Sequence, residues 1–134
     1  EGLILLTNDG GLARRFELPL TRIRRTYRIR VFGNIPENQL IQLKRGITVD
    51  GIRYGPIDAR ILEQQRSNCW LSVVLTEGKN RELRNVFTYL GYPINRLLRE
   101  GYGPFYLDDL QPGDLREVPH EAIQIFLQSL DKNS

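Results

Sequence analysis

The sequence has 134 residues, of which 40% are hydrophobic and 26% are charged. This length and composition are typical of one globular domain, so we predict a single domain over residues 1–134. The apolar run near the start spans residues 3–6, far short of the roughly 18 residues of a membrane span, so we expect no membrane partner. The single cysteine, Cys69, cannot form an internal disulfide, which favours a reducing cytoplasmic setting. Together with the single histidine, His120, it is too few residues for a zinc-binding motif, so we expect no metal site.

The net charge of +3 is unevenly distributed along the chain. Residues 14–30 carry a net charge of +6, whereas residues 100–134 contain seven acidic side chains and two basic ones. Arginine supplies 16 of the 19 basic residues, and its planar guanidinium suits bidentate contacts with phosphate. This pattern favours a polyanion, most simply a nucleic acid, as the partner, although a solvated arginine-rich surface fits the charge equally well.

Short strand and helix patterns alternate along the first half of the chain. The apolar run at residues 3–7 predicts a strand, and residues 8–11 are typical of a turn that includes Asp9. Residues 12–17 predict a short helix that Pro19 ends. Residues 26–32 alternate with a period of two, which predicts a half-buried strand with one apolar and one basic face.

The middle of the chain predicts a helix from Pro36 to about Arg45, with Gly46 as its C-terminal stop. Residues 49–52 have the composition of a tight hairpin turn, and residues 57–62 and 70–75 are predicted strands.

In the last part of the chain, Leu83, Val86, Phe87 and Leu90 follow the helical spacing, and this helix is predicted to end at Gly91. A strand near residues 94–98 and a final amphipathic helix over about residues 121–130 follow. Sequential strands with interspersed helices predict an α+β fold with a mixed, mainly antiparallel sheet and flanking helices.

The segment at residues 77–84 is the most informative one for chemistry, because it is a turn that runs directly into a helix. It brings three basic side chains close to a helix N-terminus, whose free N–H groups also favour anions, and so predicts a phosphate cradle. The glycine-rich segments lack the Gly-Lys-Ser/Thr and Gly-x-Gly-x-x-Gly spacings, so we expect no nucleotide cofactor.

Several segments resemble, in the same order along the chain, motifs of the bacterial ribosomal RNA pseudouridine synthases that modify single uridines in small-subunit or large-subunit RNA. Residues 1–10 are similar to the downstream half of the family's catalytic motif, residues 25–29 to its Lys/Arg-x-Tyr strand, and residues 77–84 to its third motif. Residues 101–105 with 110–113 resemble its closing loop. The resemblance covers residues 1 to about 118.

The resemblance implies the pseudouridine synthase catalytic-domain fold and the isomerisation of one uridine in ribosomal RNA, without a cofactor. In that reaction the uracil detaches from C1′, rotates and rejoins through carbon. Because a stacked base cannot rotate, the resemblance also implies that the target is flipped into a pocket. Residues 46–51 and 103–105 are more similar to the large-subunit members.

The resemblance also implies roles for individual residues. Tyr27 would stack on the flipped base, and Arg84 would pair with the catalytic aspartate and keep it ionised. In the family this aspartate belongs to an Arg-Leu-Asp segment just upstream of the position of Gly2. We therefore expect it before Glu1, expect Asp9 only to form the turn, and expect residues 1–134 alone to be inactive. Six residues are candidates for phosphate contacts: Arg22, Arg24, Arg25, Lys79, Asn80 and Arg81.

Two other classes of function are compatible with the composition. A non-enzymatic basic RNA-binding module would use the same arginines, and a compact interaction domain would present them to acidic protein partners. The residues encoded just before Glu1 distinguish the first from the enzyme, because Arg-Leu-Asp followed by two or three residues marks the enzyme. We expect the N-terminal RNA-binding module of many members to lie outside this sequence, and we expect a monomer.

Overall fold

A five-stranded sheet organises the chain in the computed structural model, which describes residues 1–17 and 22–132. The elements in chain order are α1 (Gly10–Glu17), β1 (Arg25–Phe32), α2 (Glu37–Leu43), β2 (Ile47–Val49), β3 (Ile52–Tyr54), β4 (Ile57–Gln64), β5 (Asn68–Leu75), α3 (Glu82–Leu90), β6 (Ile94–Tyr102), β7 (Phe105–Tyr106) and α4 (His120–Lys132). The strand order is β4-β5-β1-β6-β7, and β2 and β3 form a separate ribbon. The pairs in both sheets are antiparallel, and the predicted α+β class is confirmed.

The central strand β1 has the alternating pattern that its sequence predicts. Ile29 and Val31 are completely buried, and Tyr27 on the same face packs against the core. Arg28 and Arg30 point to the other face of the sheet, where the predicted basic surface lies. β1 pairs with β5 on one side and with β6 on the other, so its apolar face is at the centre of the sheet.

Turn residues end α2 and shape the ribbon that follows it. The N–H of Gly46 donates to the carbonyl of Leu43 at 3.0 Å, which closes the helix two residues before the predicted end. Asp50 and Gly51 have φ angles of 51° and 81°, and this left-handed pair makes the tight turn between β2 and β3. The hairpin predicted at residues 49–52 is confirmed.

The strand predicted at residues 3–7 is wrong. Gly2 forms one isolated parallel bridge with Arg99 of β6, and the chain then leaves the sheet. A parallel strand that continued from this bridge would next reach Gly101. On that side of β6, however, Gly101 is already paired with β7. Two apolar side chains of the run, those of Ile4 and Leu6, are 73% and 83% exposed.

Helix α1 begins two residues before its predicted start because Asp9 caps it. The Oδ1 atom of Asp9 accepts hydrogen bonds from the backbone N–H groups of Gly11 at 3.0 Å and Leu12 at 3.1 Å. Asp9 therefore acts on the local backbone as a helix cap and not as part of the turn predicted at residues 8–11, because Gly10 and Gly11 belong to α1. Pro19, the predicted stop of this helix, lies outside the described residues.

Two apolar clusters hold the elements together. The main core lies between one face of the sheet, α2, α3 and the β2–β3 ribbon. The second cluster is built on Leu3, Ile23 and Tyr102, and Phe16 of α1 stacks there on Phe126 of α4 at a centroid distance of 5.6 Å. In the part of the chain that is described, no helix is both long and apolar enough to cross a membrane.

Candidate active site

A cleft of about 250 Å³ opens where the start of α3 faces the sheet. Three strands supply one wall, with Tyr27 from β1, Leu75 from the end of β5 and Leu97 from β6. The turn before α3 and the first turn of the helix supply the other wall: Gly78, Lys79, Arg81, Glu82, Leu83 and Arg84. The cleft therefore has an apolar, partly aromatic side and a charged side.

Tyr27 is partly buried: it packs against the main core and also lines the cleft. The register of β1 against β6 shifts between Thr26 and Tyr27. Such bulges re-aim a side chain and are frequent next to functional sites. A tyrosine in this position can contact a planar ligand in the cleft while it stays packed on the core.

Arg84 is partly buried and lies beside the apolar stripe of α3, as its helical position predicts. Its Nη1 atom donates to the carbonyl oxygen of Ile94 at 3.3 Å, which orients the guanidinium. Within residues 1–17 and 22–132, no carboxylate forms an ion pair with Arg84. The remaining donors of the guanidinium are thus available to an acidic group that enters the cleft.

The candidate phosphate ligands fall into two groups. Lys79 and Arg81 line the cleft. The Nζ atom of Lys79 donates a hydrogen bond to the carbonyl oxygen of Arg53. Arg25 does not line the cleft itself but lies next to Gly78 of its wall, where a Cβ atom on this glycine would be 3.1 Å from Nε of Arg25.

Four of the candidates lie outside the cleft lining: Arg22, Arg24, Arg25 and Asn80. Arg22 and Arg24 are exposed on the segment that enters β1. The backbone carbonyl of Asn80 accepts a hydrogen bond from Nδ2 of Asn85 at 3.4 Å, so this residue shapes the turn before α3.

Sequence reasoning missed Glu82, a buried acidic residue that also lines the cleft and is only 4% exposed. Its Oε1 atom accepts the N–H of Lys79 at 3.3 Å, whereas its Oε2 atom has no hydrogen-bond partner. Burial, together with the neighbouring carboxylate of Glu77, raises the pKa of Glu82 to about 8. Its spacing was an available signal, because residue 82 is one turn before the buried Val86.

Replacing Glu82 by glutamine should stabilise the fold in a pH-dependent way. The pKa of this carboxyl is 4.5 when unperturbed and about 8 in the fold. Between these two pH values the folded state therefore keeps a proton that the unfolded chain has lost. Stability of the native protein therefore falls as pH rises from about 4.5 to about 8. Glu82→Gln should be more stable than the native protein by about 1 kcal/mol or more at pH 8, and nearly equal to it at pH 4.

Urea denaturation at the two pH values measures this difference. The exposed Glu63 of β4 provides the matched control, since Glu63→Gln should change stability by a similar small amount at both values. The same stability difference for Glu82→Gln at both pH values would contradict the assigned protonation.

Comparison with known proteins identifies the family to which this chain belongs. The family model described as RNA pseudouridylate synthase matches residues 1–89. An uncharacterized RNA pseudouridine synthase of Rickettsia conorii is 45% identical over 124 residues, which cover 92% of this chain and 54% of that protein. The ribosomal large subunit pseudouridine synthase B of Bacillus subtilis is 36% identical over 125 residues, which cover 91% of this chain and 51% of that protein.

Among solved structures, the crystal structure of a pseudouridylate synthase matches with a TM-score of 0.84 and 26% sequence identity, over 93% of this chain and 54% of that one. The chain spans about half the length of these relatives. Since the family model covers about two thirds of the sequence and the fold agrees, the chain belongs to the RNA pseudouridylate synthase family.

Proposed function

We propose that this chain forms part of the catalytic domain of an enzyme that isomerises one uridine of ribosomal RNA, in the large subunit, to pseudouridine. The observation that carries the proposal is the cleft itself. It joins Tyr27 of β1 to Arg84 of α3, two residues far apart in the sequence, and adds the cations of Lys79 and Arg81. The Bacillus subtilis relative, which is named as a large-subunit synthase, supports the choice of RNA.

Each wall of the cleft has a part in the proposed reaction. The target base is flipped out of its stack and lies against Tyr27, with Leu75 and Leu97 excluding water around it. The N1–C1′ bond breaks, the uracil turns, and a C5–C1′ bond forms, while the C5 proton is lost and N1 gains one. Arg84 acts through an aspartate, whose charged form it stabilises.

The strand pairing supports a position of that aspartate on the segment before Glu1, from which it would reach the cleft. Tyr27 is paired with Arg99 across β1 and β6, and Arg99 is bridged in turn to Gly2. At about 4.8 Å between neighbouring strands, the backbone of Gly2 is about 10 Å from that of Tyr27. The bridge is parallel, so a chain extended backwards from Gly2 passes next to Leu97, a residue of the cleft wall.

Binding of ribosomal RNA fragments should depend steeply on salt. The exposed Arg22 and Arg24 lie in the basic segment, and each phosphate they neutralise adds about −0.9 on duplexes, or about −0.7 on single strands, to the slope of log affinity against log salt. The double variant Arg22→Gln/Arg24→Gln should reduce the slope by up to about 1.8. A salt titration of binding by fluorescence anisotropy measures it.

The matched control removes the same charge elsewhere. Arg60 and Arg66 are exposed on and next to β4, away from the cleft lining, so Arg60→Gln/Arg66→Gln should leave the slope near that of the native chain. A slope of zero for the native chain would contradict binding through phosphates, and equal slopes for both double variants would contradict the assigned surface.

A further inference from the structure

A second concave surface lies on the other side of the start of α3. This groove, of about 440 Å³, separates α3 from the β2–β3 ribbon and is large enough for a small ligand. Its walls include Arg81 and Arg84, which also line the cleft. The groove and the cleft are therefore neighbours joined by the same two guanidinium groups.

The chemistry of the groove combines an exposed aromatic ring with positive charge. Tyr89 on α3 is 59% exposed and Ile52 on β3 is 48% exposed, and both line the groove. The buried ring of Tyr54 supports this region, where its hydroxyl accepts a hydrogen bond from Nδ2 of Asn85 at 3.2 Å. An aromatic face available for stacking, next to cations, is the combination that single-stranded nucleic acids use.

The charge of the lining also favours an anionic occupant. Arg81 and Arg84 face one acidic residue, Asp50 of the hairpin turn. In the described part of the chain, the exposed side chain of Arg81 has no ion-pair partner. It is therefore available to a phosphate at the boundary between the cleft and the groove.

Covalent connectivity then indicates which ligand fits. A flipped uridine in the cleft remains joined to a nucleotide on each side, so at least one neighbour must cross the surface next to the cleft. We propose that the groove is a second nucleotide subsite, in which a base flanking the target uridine stacks on Tyr89 while the linking phosphate contacts Arg81. This proposal rests on the proposed function, because it requires an RNA nucleotide in the cleft.

Titration of the ¹⁵N-labelled chain with uridine monophosphate and with the trinucleotide UpUpU separates the two sites. The mononucleotide should shift the amide signals of Gly78 and Leu97 in the cleft, and the trinucleotide should shift those of Ile52 and Tyr89 as well. Tyr89→Ala should weaken trinucleotide binding roughly 5- to 150-fold, the range expected for loss of one base–aromatic stack, and leave mononucleotide binding unchanged. Tyr89→Phe, which keeps the ring, should bind like the native chain.

Phe32 provides the matched control, since this aromatic residue is 53% exposed but lines neither site. Phe32→Ala should bind both probes normally. Trinucleotide shifts confined to the cleft, or equal losses for Tyr89→Ala with both probes, would overturn the subsite while leaving the proposed function intact. Failure of both probes to shift the cleft amides would overturn the proposed function together with the subsite.

Discussion

Arg84→Ala should reduce the rate of isomerisation by at least about 100-fold in the encoded chain extended upstream of Glu1, while RNA affinity changes little. Arg84 is partly buried and oriented by its hydrogen bond to Ile94, so its removal should leave the proposed aspartate in the cleft without its partner. Removing one member of a buried ion pair costs about 3–5 kcal/mol, and each 1.36 kcal/mol is about tenfold in rate. Single-turnover kinetics at saturating enzyme separate this loss from binding.

Two further variants define the cause of that loss. Arg84→Lys keeps the charge but not the planar fork, so its rate should lie between those of the native enzyme and Arg84→Ala. Arg60→Ala removes an exposed arginine from β4 and should react at the native rate. A native single-turnover rate for Arg84→Ala would refute the pairing.

Tyr27→Ala should also reduce turnover, by roughly 100-fold or more, because in the proposed mechanism the flipped base loses the ring that orients it in the cleft. Phosphate contacts dominate RNA affinity, and one base stack adds only about 1–3 kcal/mol, so binding should weaken far less than the rate. Rates measured at saturating enzyme, beside the binding curve of the same variant, give the two effects separately.

The variant Tyr27→Phe distinguishes the ring from the hydroxyl. It retains stacking, so a rate near that of the native enzyme assigns Tyr27 to base orientation, whereas a low rate assigns the hydroxyl to removal of the C5 proton. Because Tyr27 packs against the main core, the thermal unfolding of each variant is measured and the assay is run below its midpoint. Native turnover by Tyr27→Ala would exclude both roles.

The elements that the sequence predicted well are those whose pattern is local. The alternation in β1, the left-handed pair at Asp50 and Gly51, and the stripe of α3 each depend on neighbouring residues. Tertiary context can override such patterns, but here the buried faces agree with them. The partly buried position of Arg84 follows from the same stripe.

Long-range pairing decided what the sequence could not predict. Residues 3–7 have the composition of a strand, yet β7 occupies the edge of β6 where they would continue. The raised pKa of Glu82 arises first from its burial and then from the neighbouring carboxylate of Glu77, and neither can be read from the local sequence. The basic residues illustrate the same limit: charge alone did not distinguish Arg81 in the cleft from Arg24 outside it.

Chemical mapping of pseudouridine in a large-subunit ribosomal RNA transcript tests the central claim most directly. Two chains are compared with a no-protein control: residues 1–134 alone, and the same chain extended upstream through the proposed aspartate. The extended chain should form pseudouridine at one uridine, and residues 1–134 should form none, because in the proposed mechanism the cleft supplies the walls around the base and the preceding segment supplies the aspartate. Absence of product from the extended chain, despite salt-dependent binding, would indicate an RNA-binding module instead of an enzyme, and product from residues 1–134 alone would contradict the upstream position of the aspartate.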